Sequence, residues 1–172
     1  MSGAAMADVS AVEIAVPAAV ERLHLLDRVD YVDAYAVDTS SERDPEQWLR
    51  AFIQDAPRWF QVPWVGVGTT VLGARFGPLR APGYVLGWKV LITRRDLFAV
   101  GLDSRAGLSA RLIALTPPGQ AVIATQIELG TRYARALWPP IRRGHRHFAP
   151  ALLERAARSD ATVQLGMSAK RL

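Results

Sequence analysis

The chain has 172 residues, half of them hydrophobic, with no cysteine and a net charge of +5. This fits one domain with a sizeable core and excludes a disordered chain, disulfides, thiolate metal sites and, lacking about 18 consecutive apolar residues, a bilayer span. The charge is acidic over residues 1–60 and basic beyond, nearly all of it Arg in an Ala-rich chain, so internal neutralisation is favoured over a nucleic-acid partner.

The opening MSGAAMADVSAVEIAV has no basic stretch followed by an apolar run, so a signal peptide is not expected and a bacterial-type cytosol is the default location. Residues 1–28 read as a flexible N-terminal segment. YVDAYAV, residues 31–37, carries β-formers and is expected as the first strand. Asp44, Pro45 and Gln47 announce a helix: a cap, a proline at the first helical position, and a capping-box partner three residues on. Trp48, Leu49, Phe52 and Ile53 share one side of it, and Pro57 ends it. Trp59, Phe60 and Trp64 then form a short second helix or an aromatic turn. Residues 66–83, with five Gly and two Pro, read as loop.

Four strand-like runs follow: 84–93, 96–103, 108–116 and 120–129. Their short polar separators favour antiparallel hairpins. After Trp138-Pro139-Pro140 a long helix is expected from Ile141 to Arg158. At about 100° per residue, Ile141, His145, Phe148, Ala149, Leu152 and Ala156 fall in one stripe, with a proline, Pro150, in the middle. Residues 159–172 show no stripe and read as a flexible tail.

This order resembles the START-related helix-grip (SRPBCC) superfamily, which includes polyketide cyclases and the birch-pollen-allergen fold. More narrowly, DYVDAY (30–35), PRWF (57–60), RFGPL (75–79) and HRHFAPALLERAAR (145–158) resemble an uncharacterised bacterial family, domain-of-unknown-function family twenty-eight sixty-seven. The resemblance implies an α+β fold over residues 29–158, a curved antiparallel β-sheet gripping a long C-terminal α-helix. It also implies an apolar or amphipathic small molecule held between the two. The narrow family offers no catalytic motif to carry over, and no cofactor is expected.

His145 is the sharpest candidate, a polar side chain within an apolar stripe. It is either a cavity histidine that bonds a ligand or acts as general base, or a core histidine satisfied within the fold. Trp59, Phe60, Trp64, Trp88, Phe148 and Leu152 are candidate ligand contacts, with ordinary core packing as the alternative. Arg142, Arg143 and Arg146 are candidate anion contacts. Cations at a helix start oppose its dipole, so they are expected to find the acidic first segment (Asp30, Asp33, Asp38) or an anionic ligand. His145 and His147 are two positions apart and do not share a helix face, so no metal is expected. The glycines of residues 66–73 match no phosphate-binding fingerprint. The functions to weigh are a small-molecule binding module, an enzyme of cyclase or hydratase type using His145, and an Arg-based interaction or nucleic-acid protein.

Overall fold

The structure is a computed structural model describing residues 9–169, with side chains to Thr162. It is an α+β arrangement, an open seven-stranded antiparallel sheet with a long C-terminal helix packed on one face. The segments expected to be flexible fall partly outside it, at residues 1–8 and 170–172.

The remainder of the N-terminal segment contains β1 (Val12–Glu13) and α1 (Ala18–Glu21). Ile14, Val16, Val20, Leu23 and Leu25 pack over Ala34, Ala36, Ala99 and Ala124 on the outer face of the sheet. Alanine-rich rows let a chain segment lie close to the strands, and burial of apolar surface then holds it there. Next come β2 (Tyr31–Asp38) and α2 (Pro45–Ile53). The expected capping box is formed: Gln47 N–H donates to the Asp44 carboxylate at 2.8 Å, and Asp44 N–H to Gln47 Oε1 at 3.0 Å.

The aromatic stretch is a full helix, α3 (Arg58–Thr70), which takes in residues expected to be loop. Strands β3 (Tyr84–Val85) and β4 (Trp88–Thr93) divide the first expected run. Between them Leu86 and Gly87 have φ of 47° and 81°, the pair of left-handed residues that a two-residue hairpin turn requires. Then follow β5 (Leu97–Asp103), β6 (Leu108–Leu115) and β7 (Gln120–Leu129). The sheet order is β1-β2-β7-β6-β5-β4-β3, so β7 returns beside β2 and α2 and α3 carry the long crossover.

Period-two alternation places Tyr31, Asp33, Tyr35 and Val37 of β2 on the inner face, with Ile123, Thr125 and Ile127 of β7 opposite them. This face meets Trp48, Leu49 and Phe52 of α2 and Ala149, Leu152, Leu153 and Ala156 of the last helix.

That helix, α4, runs from Arg132 to Ala169. It starts before the expected Ile141 because Thr131 caps it, its hydroxyl oxygen accepting Ala134 N–H at 3.0 Å. Pro139 and Pro140 therefore lie inside the helix, not ahead of it. It also continues past Arg158, where Asp160 is buried and paired with Arg43 at 2.8 Å. Its buried face is centred further round than the expected stripe. Leu153 is fully buried, whereas Ile141 and Phe148 sit half-buried at the margin.

Candidate functional site

The inner row of β2 carries one carboxylate into the core. The Asp33 side chain is 2% exposed, and His145 of α4 lies above it with its side chain 15% exposed. His145 Nε2 is 3.1 Å from Asp33 Oδ2 and 3.2 Å from Oδ1, so the Nε2–H donates to the carboxylate. Tyr31 O–H donates to Oδ2 at 2.6 Å. Thr125 pairs with Asp33 across the ladder, its hydroxyl on the same inner face.

Burial pushes the Asp33 carboxyl up. The hydrogen bond and charge of His145, with the Tyr31 and Thr125 hydroxyls, outweigh this and hold it below the usual carboxylate value. Burial and the donated hydrogen bond to Asp33 push the Tyr31 phenol up. Tyr35 is pushed up to about 12 by burial and by the charges of Asp33 and Glu13. With Nε2 carrying the proton toward Asp33, the Nδ1 of a neutral His145 holds the lone pair. This is the arrangement of a base oriented by a carboxylate, and equally of a fastening between helix and sheet.

Aromatic rings surround this polar group. Trp138 meets Tyr31 edge-on at 5.0 Å, and the Arg142 guanidinium lies 5.3 Å from the centre of the Tyr31 ring. One turn beyond His145, Phe148 approaches Phe60 at 5.2 Å and Trp59 at 6.5 Å. Phe60 stacks on Trp64 at 6.0 Å. Four of the candidate contacts thus form one cluster where α3 meets α4. Trp88 is buried in β4 and Leu152 in the core beneath α4, both packed as ordinary interior side chains.

The three arginines lie well inside α4, not at its start, so the unfavourable helix-terminus argument no longer applies. Arg146 pairs with Glu13 at 2.5 Å, an acidic partner in the first segment other than the three anticipated. Arg143 is exposed. Of those three, Asp30 pairs with Arg28, Asp33 with His145, and Asp38 accepts from Gln120. His147 is exposed against Phe148. Among the described residues no group of three His, Asp or Glu could hold a metal ion. No helix there is long and apolar enough to cross a membrane.

Two concavities open elsewhere. One of about 310 Å³ on the outer face is lined by His24, Asp27, Asp103 and Arg111, and one of about 250 Å³ by Thr39, Arg43 and Gln120 among others. Neither is lined by residues of α3 or α4.

Tyr31, Thr125 and Trp138 were not singled out from the sequence. The signal for Tyr31 was present, since alternation within YVDAYAV puts it on the same face as Asp33. Neither a protein-family model nor a curated protein matches the chain.

Proposed function

We propose that the chain is a START-related helix-grip domain that binds an apolar or amphipathic small molecule between α4 and the sheet, beneath α3. The reading rests on one observation. A hydrogen-bonded polar group (Tyr31, Asp33 and His145) sits under the apolar face of α4 near its middle, beside the cluster of Phe60, Trp64 and Phe148. Ligand sites combine those two ingredients, an apolar lining and a few convergent polar atoms. The run of β2, two helices, five further strands and α4 supports the same reading. Gly68 is the only buried residue of α3, so this helix covers the site with little buried surface of its own. Native mass spectrometry of the purified protein, with extraction of any bound compound, tests it. The expected result is a retained lipid-like mass that is lost in Phe60→Asp. A bare protein that also fails to take up an anilinonaphthalene sulfonate probe would refute it.

The His145–Asp33 distance of 3.1 Å favours a second reading, an enzyme of cyclase or hydratase type with His145 as general base and Asp33 orienting it. Under it, His145→Ala abolishes turnover while leaving ligand retention intact. Unchanged turnover in that variant removes the reading. Arg142 and Arg146 have partners within the chain, which leaves exposed Arg143 as the arginine of the three open to the third reading, phosphate or nucleic-acid binding.

A further inference from the structure

The outward side of α3 is unlike the rest of the surface. At about 100° per residue, Thr69, Val62, Gly66, Trp59, Thr70 and Pro63 fall within an arc of about 120°. All six are exposed, Trp59 at 68% and Val62 at 70%. Val67 extends the apolar surface along one flank. The opposite side, with Phe60, Gln61 and Gly68, faces the body of the protein; Gln61 Nε2 donates to the Gln54 carbonyl at 2.6 Å, and Gly68 lies against Phe76.

The polar atoms on the outward arc are already satisfied. Thr69 Oγ1 donates to the Val65 carbonyl and Thr70 Oγ1 to the Gly66 carbonyl, each at 2.7 Å. Both hydroxyls turn back onto the helix and present their methyl groups outward. From Trp59 to Gly73 there is no charged side chain, and exposed Arg58 and Arg75 bracket the stretch. Residues 56–95 hold six basic side chains and no acidic one. A second copy of the chain on this face would bring arginines against arginines. An anionic surface with an apolar interior matches both the charge and the hydrophobic arc. The tryptophan, amphipathic in itself, suits the boundary between the two.

We infer that α3 docks the protein on the surface of an anionic lipid bilayer, with Trp59, Val62 and Val67 entering the headgroup boundary and the flanking arginines meeting the lipid charge. The inference does not depend on whether a ligand lies beneath α4.

Vesicle co-sedimentation of the whole chain tests it, with phosphatidylcholine alone and with an equimolar mixture of phosphatidylcholine and phosphatidylserine. The protein is expected to sediment with the anionic vesicles, less with the neutral ones, and less again as salt rises. Val62→Asp places a charge on the exposed arc and is expected to reduce partitioning about tenfold or more. Trp59→Ala serves as an independent second variant, and far-ultraviolet circular dichroism checks that both are folded. No sedimentation with anionic vesicles at low salt, or equal sedimentation of wild type and both folded variants, would overturn the inference. So would a wild-type dimer that ignores vesicles and becomes monomeric in Val62→Asp, since the face would then belong to a second copy.

Discussion

His145 and Asp33, 112 residues apart in the chain, meet at 3.1 Å and join the middle of the last helix to the inner face of the sheet. Removing His145 leaves the Asp33 carboxylate buried with the Tyr31 hydroxyl as its remaining donor. His145→Ala strands the Asp33 carboxylate and is expected to cost about 3 kcal/mol. Asp33→Asn leaves no buried charge and should cost less. Urea denaturation midpoints at constant slope measure both. A His145→Ala cost below about 1 kcal/mol would mean that solvent already reaches the pair.

The depressed Asp33 value has a signed consequence for acid stability. Its folded value lies below the ordinary 3.8, so its contribution is fully present above that pH and is lost as pH falls through the folded value. Stability should therefore drop more steeply below about pH 4 in wild type than in Asp33→Asn. Thermal melts across the acid range give the two slopes, and parallel slopes would contradict the assignment.

At the alkaline end the sign is reversed. Tyr35 has a folded value of about 12 against an ordinary 10.0, and Tyr31 is raised as well. Their contributions are complete below pH 10 and lost as pH rises toward the folded values. Phenolate absorbance should show these two tyrosines ionising late. Tyr31→Phe and Tyr35→Phe should each remove one late component from the titration.

Gly107 has φ of +82°, and a Cβ there would lie 2.4 Å from Thr131 Cγ2. Gly107→Ala is expected to cost about 2 kcal/mol or more from left-handed strain and the clash together. Adding Thr131→Ser keeps the helix cap and removes the methyl group. The pair should recover the clash and retain the strain. No recovery in denaturation measurements would place the whole cost in the backbone.

Leu153→Ala is expected to cost about 3 kcal/mol, more than the same change at half-buried Ile141. This comparison also marks where sequence reasoning stopped. A period of 3.6 places His145 inward, but the stripe drawn from Ile141 omitted Leu153 because nothing in the sequence says where the sheet lies. The α2 cap and β2 were legible because Asp44, Pro45, Gln47 and the YVDAYAV alternation act locally. The start of α4 was hidden because Pro139-Pro140 resembles a stop signal, and the cap at Thr131 outweighs it. The β3–β4 hairpin was hidden because Leu86 adopts a left-handed conformation that leucine rarely takes. Arg146 finds Glu13 only because the N-terminal strap folds onto the sheet, a long-range event without a local signature.

The last helix is riveted at three stations. Thr131 donates to the Ala106 carbonyl at one end, His145 holds Asp33 midway, and Asp160 is gripped by Arg43, which also donates to the Ala156 carbonyl at 3.0 Å. A beam fixed at both ends and in the middle cannot swing. α3 is held by Gln61 near its start, by Phe60 against Phe148, and just past its end by Tyr133 O–H to the Val71 carbonyl at 3.4 Å and by Ala106 and Arg105 N–H to the Leu72 and Gly73 carbonyls. On the binding reading proposed above, α3, which makes no ion pair among the described residues, is the element that moves when a ligand enters.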